Sequence, residues 1–321
     1  METMRRAAQG LEGVAVRTPL LDIPALADLL GAPVAAKCEH LQPVGAFKIR
    51  GAYTAVLRIP EEERARGVIT YSSGNHGQAV AFAARLLGTH AVVVMPERAP
   101  AIKVAGVQGH GGEVVFAGNS SAERFQRAQA LARERGLAMV PPYESLDVIA
   151  GQATCGLEIL DARPTVETIL VPVGGGGLIA GIASAVASVK PSVRVIGVEP
   201  VSAPKLARAL EAGRPVTLEL SQSLADGLLP VSIGELPFAV MYGVVRDTIQ
   251  VEEAEISAAV RFLYEQMQLV VEPSGAVTTA AILAGRVGSP GSTVVVVSGG
   301  NVDPELFRSL VNPPAGPGQS E

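Results

Sequence analysis

The chain has 321 residues, of which 48% are hydrophobic and 4% aromatic, enough to bury the cores of two domains or of one large domain with an insertion. Its formal net charge of −5 is small and it contains no basic run, which argues against a nucleic-acid partner. The N-terminal residues lack the apolar stretch of a signal peptide, and no segment is long and apolar enough to span a bilayer. We therefore expect a cytoplasmic protein without a membrane partner. Its cysteines, Cys38 and Cys155, form no CxxC pair and are expected to be reduced and buried.

Short runs rich in valine and isoleucine alternate with longer helical patterns along the chain. The predicted strands are Val34–Cys38, Val68–Tyr71, Ala91–Met95, Glu113–Phe116, Ile169–Val173, Val193–Val198 and Thr293–Ser298. The predicted helices are His76–Leu87, Ala122–Arg135, Leu178–Val189, Glu253–Gln268 and Gly275–Ala284. This alternation predicts βαβ units and the α/β fold class, with mainly parallel sheets.

Two turn-rich segments resemble domain joints, one at residues 42–45 and one at residues 141–143. They bracket a stretch with its own strands and helices, of about the commonest domain size of roughly 100 residues. We therefore predict a small inserted α/β domain over residues 46–141 and a large domain made of residues 1–45 and 142–312. The remaining residues, 313–321, are predicted to be a disordered tail.

Three glycine-containing turns follow predicted strands. In the second, Gly174 to Gly177 stand between a strand and a helix, so several backbone N–H groups can face one point at the positive end of the helix dipole. That arrangement predicts a phosphate cradle, although a flexible turn without a ligand is the alternative. The first turn, SSGNHG, offers hydroxyl and amide groups to a ligand or is an ordinary capped turn. The third places Ser298 after the strongest predicted strand, where α/β sheets bind ligands.

The second turn also fits a rival interpretation. Gly175, Gly177 and Ala180 match G-x-G-x-x-A, and Glu199 ends the next strand about 20 residues later, as in dinucleotide-binding folds. An NAD-dependent oxidoreductase therefore stays open as an alternative of another class.

The five lysines of the chain differ in their surroundings. Lys48 lies in GAFKIRGA, among apolar and small residues, where desolvation lowers the amine pKa and favours imine formation. The alternative is a domain-edge lysine whose ammonium reaches solvent. Lys37 lies in a strand, and Lys103, Lys190 and Lys205 are predicted to be solvated charges.

Five motifs in chain order carry a resemblance to a known family: PVGAFKIRGA, SSGNHGQA, VPVGGGGLIAG, VVEPSGA and VVSGGNVD. Together they cover nearly the whole chain and resemble the fold-type II pyridoxal-phosphate enzymes, in particular the threonine dehydratase and serine racemase group. The resemblance implies two parallel-sheet α/β domains of the tryptophan synthase β-like type and pyridoxal 5′-phosphate as cofactor. It also implies a homodimer or homotetramer.

The resemblance also implies roles for individual residues. Lys48 would hold the cofactor as a Schiff base and act as a catalytic base, with Phe47 beside the cofactor ring, and Ser298 would face the pyridine nitrogen. Asn75 would hydrogen-bond the 3′-oxygen, and Glu272 would lie near the ring edge. The backbone amides that would hold the 5′-phosphate belong to Gly174, Gly175, Gly176, Gly177 and Leu178. The residues that would bind the substrate, chiefly its carboxylate, are Ser72, Ser73, Asn75 and His76. Two further polar positions near the site or an effector pocket are Gln78 and Asn301.

Two positions depart from the patterns of the group. Ser73 stands where many of the dehydratases carry alanine and the racemases carry serine, so Ser73 is a candidate acid on the face opposite Lys48. In the racemases a glutamate, a backbone carbonyl and an aspartate hold a divalent metal. Glu199 and Ala203 match the first two, but Lys205 replaces the aspartate and would repel a cation, so we expect no metal there.

The expected activity is dehydration and deamination of L-threonine and L-serine to 2-oxobutanoate, pyruvate and ammonia. Serine racemase and 3-hydroxyaspartate dehydratase are the alternatives within the group. Arg124 would favour an acidic substrate if it reached the site, but we expect it to be a solvated helix arginine.

Overall fold

The computed structural model describes residues 1–72, 74–288 and 291–312. Its strands are β1 Leu20–Asp22, β2 Val34–Cys38, β3 Val68–Tyr71, β4 Ala91–Met95, β5 Glu113–Phe116, β6 Ala138–Met139, β7 Thr168–Pro172, β8 Arg194–Pro200, β9 Asp247–Val251 and β10 Thr293–Val297. Its helices are α1 Glu2–Gly10, α2 Pro24–Leu30, α3 Lys48–Arg58, α4 Glu61–Arg64, α5 Asn75–Leu86, α6 Ala101–Gly109, α7 Ser121–Arg135, α8 Leu146–Ala162, α9 Gly177–Val189, α10 Lys205–Ala212, α11 Glu235–Met241, α12 Glu253–Met267, α13 Pro273–Leu283 and α14 Pro304–Val311. Two short 3₁₀ turns span Glu39–Leu41 and Asp226–Leu228.

The strands form two sheets. The larger has the order β1-β2-β10-β7-β8-β9 and is parallel except for β1, and the smaller has the order β5-β4-β3-β6 and is parallel throughout. This confirms the predicted α/β fold class with two parallel-sheet units. The strands of the smaller sheet all lie between residues 68 and 139, while the domain boundaries at 46 and 141 stay a prediction.

The predicted strands are all present, with ends shifted by at most two residues. The strands that the sequence pattern missed are β1, β6 and β9. β6 has two residues and β1 three, too few to show a period, and four of the five β9 residues are not buried. The predicted tail, 313–321, lies outside the described residues.

Both faces of the larger sheet are covered by helices. On β10, Val294 and Val296 pack into one core cluster with α8 and α9, whereas Val295 and Val297 pack into the other with α12 and α13. Every β10 residue is buried, and after Thr293 its sequence is a continuous run of valines rather than an alternating pattern, as expected for a central parallel strand. Among the described residues, no helix is both long and apolar enough to cross a bilayer.

A buried ionic cluster joins α3 to the larger sheet. Arg50 on α3 donates to Glu39 beyond β2 and to Glu158 on α8, both at 2.7 Å, and Lys37 on β2 donates to Glu158 at 2.6 Å. Burial raises the pKa of the Glu39 carboxyl, but the charge of Arg50 and its hydrogen bonds outweigh burial and hold that pKa below its usual value. The cluster fixes the start of α3, which carries Lys48, against the large sheet.

The prediction that Lys103, Lys190 and Lys205 are solvated is wrong. Lys103 and Lys205 are buried and paired with Asp226 and Glu199, and Lys190 is half-buried with its ammonium donating to two backbone carbonyls. The polar neighbours of these lysines in the sequence do not reveal the tertiary contacts that cover them.

Arg50 and Arg58 lie on the same helix and allow a matched test of the buried cluster. Arg50→Met removes the guanidinium that hydrogen-bonds the buried Glu39 carboxylate and leaves it the Lys37 ammonium, at 3.8 Å, as its cation, so we expect the free energy of unfolding to fall by about 3–5 kcal/mol. Arg58 pairs with Asp147 at the surface, so Arg58→Met is expected to change it by about 1 kcal/mol or less. Equilibrium urea unfolding measures both, and equal losses would contradict a special role for the buried cluster.

Candidate active site

The loops at the carboxyl ends of β3, β7 and β10 meet at a cavity of about 190 Å³. Parallel strands in one sheet end at the same edge, and β10 lies beside β7, so the loops after these two strands are neighbours. The predicted site residues that line this cavity are Phe47, Lys48, Ser72, Asn75, His76, Gly174, Gly175, Gly176, Gly177, Leu178, Glu272 and Ser298. Ser73, predicted as a catalytic and substrate-binding residue, lies outside the described residues, and its role stays a prediction.

Lys48 is the first residue of α3, and its ammonium faces the cavity with few partners. Its Nζ donates to the carbonyl oxygen of Pro142 at 3.0 Å and lies 5.2 Å from the centroid of the Phe47 ring. Burial lowers the pKa of the Lys48 amine to about 8, although the nearby Glu272 carboxylate opposes the shift. The amine is therefore available in its neutral, nucleophilic form close to neutral pH.

The glycine turn after β7 presents free backbone amides to the cavity. α9 begins at Gly177, and the first N–H groups of a helix have no acceptor within it. Within the described ranges, the N–H groups of residues 174–177 donate to no protein atom. Gly176 has a φ of +97°, which favours glycine, and a Cβ on Gly175 would lie 2.2 Å from the Tyr143 ring. The turn therefore fits an anion such as a phosphate.

Asn75, the first residue of α5, is held from both sides. Its Nδ2 donates to Glu272 at 2.7 Å, and its Oδ1 accepts from Asn301 at 2.9 Å. Burial raises the pKa of the Glu272 carboxyl to about 7, which Lys103 opposes and Asp226 reinforces. Asn301 is thus a support for Asn75 rather than a cavity-lining group, and Ser298 lies in the cavity wall at the end of β10.

His76 and Gln78 on α5 are buried. His76 donates from Nε2 to the carbonyl of Val140, and burial together with the positive charge of Lys48 lowers the His76 pKa to about 3. His76 is therefore neutral at physiological pH and offers no positive charge to a substrate carboxylate. Gln78 packs against Gly106 and is not among the residues that line the cavity.

Sequence reasoning missed part of the cavity wall. Lys103 on α6 pairs with Asp226, and Tyr143 and Arg124 also line the cavity. Arg124 is only 8% exposed, which corrects the view of it as a solvated helix arginine. Its neighbours on α7 are mostly exposed, so nothing in the local sequence distinguishes it. Tyr143 follows two prolines in the predicted domain joint, and that proline pair is the sequence signal that could have pointed to this segment.

The residues matched to a metal site do not form one. Glu199 accepts from the backbone N–H groups of Leu206 and Ala207, both at 2.9 Å, and Lys205 directs its ammonium toward Glu199 and the carbonyl of Ala203. Within residues 1–72, 74–288 and 291–312, no cluster of three or more His, Cys, Asp or Glu side chains can hold a metal ion. Glu199 is buried, and its carboxylate accepts hydrogen bonds from the first turn of α10. It is therefore not free to bind a ribose hydroxyl, as the NAD-dependent alternative requires.

The residues around the cavity fit pyridoxal 5′-phosphate. The unpaired amides of residues 174–177 suit its phosphate, and the buried Lys48 amine, with a pKa of about 8, suits its aldehyde. Asn75 and Ser298 supply a side-chain amide and a hydroxyl to the same space.

Comparison with known proteins agrees with this fit. The family described as "Pyridoxal-phosphate dependent enzyme" matches residues 11–299. An L-threonine ammonia-lyase of Geobacter sulfurreducens is 45% identical over 296 residues, covering 92% of this chain and 74% of that protein. An L-threo-3-hydroxyaspartate ammonia-lyase of Saccharomyces cerevisiae is 39% identical over 297 residues, covering 92% of this chain and 91% of that protein. The structure of maize serine racemase superposes with a TM-score of 0.92 at 37% identity and covers 96% of each chain. The chain belongs to the family of pyridoxal-phosphate dependent enzymes.

Proposed function

We propose that this enzyme converts L-threonine to 2-oxobutanoate and ammonia, and L-serine to pyruvate and ammonia. The observation that carries the proposal is a buried amine, Lys48, facing the same cavity as an anion cradle of free amides. The similarity to an L-threonine ammonia-lyase supports the reaction class.

Each cavity residue has a part in the proposed reaction. Pyridoxal phosphate, when bound, supplies an aldehyde that condenses with amines and a ring that withdraws electrons from the substrate α-carbon. Lys48 would hold the cofactor and then, as a neutral amine, remove the proton from the substrate Cα. Residues 174–177 and the amide of Leu178 would fix the phosphate. Ser298 would meet the pyridine nitrogen with a hydroxyl, which, unlike a carboxylate, does not hold a proton there and so favours elimination over transamination.

The proposal includes a setting for the enzyme. We place the small domain at residues 46–141 and the large one at 1–45 and 142–312, and we propose a homodimer or homotetramer in the cytoplasm. Support for a reducing compartment comes from Cys38 and Cys155, which are buried and unpaired, and burial raises the pKa of both thiols.

A second candidate substrate is 3-hydroxyaspartate, and Arg124 is the observation that favours it. Arg124 lines the cavity, and among the described residues the buried Nε of its guanidinium has no acceptor. Its other nitrogens donate only to the Asn119 carbonyl and the Ser121 hydroxyl, so no carboxylate neutralises it by direct contact within the described part of the chain. A substrate β-carboxylate would supply that charge. The yeast relative named for this substrate supports the same candidate.

Lys48→Ala tests the central claim. We expect a folded protein that has lost nearly all turnover of L-threonine, because Lys103, the other lysine that lines the cavity in the described structure, is paired with Asp226. Borohydride reduction of the wild-type holoenzyme followed by peptide mass spectrometry should label Lys48. Lys190→Ala is the control and should keep wild-type activity, whereas turnover in Lys48→Ala near the wild-type rate would refute the proposal.

Gly175→Ala tests the anion cradle. The added methyl group would displace the Tyr143 ring at the cavity wall, and we expect cofactor affinity to fall by about ten-fold or more, or about 1.4 kcal/mol. Fluorescence titration of the apoenzyme with cofactor measures the change. Adding Tyr143→Ala to this variant should remove the clash, and Gly109→Ala, where a Cβ meets nothing within 4 Å, is the neutral control. Unchanged affinity in Gly175→Ala would argue against the cradle.

Arg124→Met separates the two substrate classes. Loss of one charge-assisted contact of about 1.5–3 kcal/mol should lower kcat/KM for L-threo-3-hydroxyaspartate by about 10- to 150-fold while leaving L-threonine nearly unchanged. Arg127→Met is the matched control, since Arg127 lies on the same helix but is exposed. If both substrates lose equally, Arg124 has no part in recognising the β-carboxylate.

A further inference from the structure

Lys205 is a charged side chain that is 0% exposed, outside the group of residues that line the cavity. It is the first residue of α10, near the carboxyl end of β8. A buried ammonium is strongly unfavourable unless protein oxygens replace its lost water. The oxygens around the Lys205 ammonium must therefore replace its lost water.

The ammonium of Lys205 is surrounded by oxygens from three separate segments. It donates to the Ala203 carbonyl at 3.0 Å and to the Leu228 carbonyl at 2.8 Å, and it lies 3.8 Å from the Glu199 carboxylate. One carboxylate and two backbone carbonyls are the kind of oxygen ligands that hard cations such as Mg²⁺ and Ca²⁺ use. An ammonium has three N–H donors, which match these three oxygens in number.

The Glu199 carboxylate also has hydrogen-bond donors other than Lys205. It accepts from the backbone N–H groups of Leu206 and Ala207 at the start of α10. With Lys205 beside it, the charges of the pair cancel within the buried site. A divalent cation would have to displace a cation that is covalently part of the chain and would meet a single carboxylate there.

The Leu228 carbonyl connects this site to the active cavity. Leu228 ends the 3₁₀ turn Asp226–Leu228, and all three of its residues line the cavity. Asp226 pairs with Lys103 on α6, which also lines the cavity, and Gly227 donates to the Ser274 hydroxyl at 2.9 Å. The Gly227 carbonyl also packs so closely against Gly174 that a Cβ there would lie 3.0 Å from it. Holding Leu228 thus holds the wall beside the glycine turn.

We propose that the Lys205 ammonium is a built-in cation that positions the Asp226–Leu228 turn and replaces a dissociable divalent metal at this point. Lys205 is a positioning residue: it acts on the cavity through Leu228. Cofactor binding in this enzyme is accordingly independent of Mg²⁺ and Ca²⁺. The inference uses the family membership and not the choice of substrate, so it can fail while the proposed reaction stands.

The test compares cation responses of holoenzymes. For the wild type, EDTA and millimolar MgCl₂ or CaCl₂ should change neither the thermal unfolding midpoint nor the cofactor dissociation constant. Lys205→Met removes the cation and should lower the midpoint by about 10 °C and weaken cofactor binding by about ten-fold. Lys205→Asp should be equally impaired in EDTA, and Mg²⁺ or Ca²⁺ should restore both quantities saturably, because a second carboxylate then completes a divalent site.

Lys190 offers a matched control, because its ammonium also donates to two backbone carbonyls, those of Pro164 and Val166, without a carboxylate within 4 Å in the described structure. Lys190→Asp should gain no response to either cation. The proposal is overturned by a wild type that divalent cations stabilise saturably, by Lys205→Met with wild-type cofactor affinity, or by Lys205→Asp without a cation response. If Lys205→Met does not accumulate as folded protein, the wild type and Lys205→Asp, prepared with and without Mg²⁺, decide the question.

Discussion

The cost of burying a lysine ammonium governs much of this structure. Removing such a charge from water costs several kcal/mol unless protein oxygens or carboxylates compensate. Lys37 and Lys103 each contact a carboxylate directly, and Lys205 has a carboxylate and two carbonyls around it. Lys48 has one carbonyl within hydrogen-bonding distance, and the pKa of its amine is lowered to about 8. Burial lowers the pKa of the Lys205 amine to about 8 as well. The pKa alone therefore does not distinguish Lys48 from the structural lysines; its position in the cavity wall with a single carbonyl partner does.

The parallel sheets explain why the cavity is where it is. Loops after β7 and β10 must meet, because these strands are neighbours and point the same way. The backbone N–H of Phe47, next to Lys48, donates to the carbonyl of Ser298 at 3.1 Å, which ties the start of α3 to the loop after β10. The anion cradle, the reactive amine and the serine hydroxyl are therefore placed by backbone geometry more than by long side chains.

The sequence predicted the parts of the molecule that depend on local pattern. Central strands such as β7 and β10 are apolar after their first residue, the glycine turn contains four consecutive glycines, and Lys48 is surrounded by small and apolar neighbours. Predictions from the sequence were wrong for residues whose burial depends on elements distant in the chain. Arg124 lies on a polar helix and is nevertheless buried where α7 lines the cavity. Lys205 is covered by Leu228, more than 20 residues away, and no periodicity in the chain reports such a contact.

The strand order also has a consequence for how the protein is assembled. In the described structure β2 lies between β1 and β10, and β10 separates β2 from β7, so the larger sheet has a gap until residues 293–297 are in place. The smaller sheet, in contrast, closes within residues 68–139, and its pairings join residues much closer in sequence than the β2–β10 pairing does, which favours earlier formation. During synthesis the smaller sheet can therefore fold before β10 is available to join β1 and β2 to the rest of the larger sheet. Only the docking of β10 brings the Ser298 carbonyl to Phe47, so the cavity is completed late, when the rest of the molecule is already built.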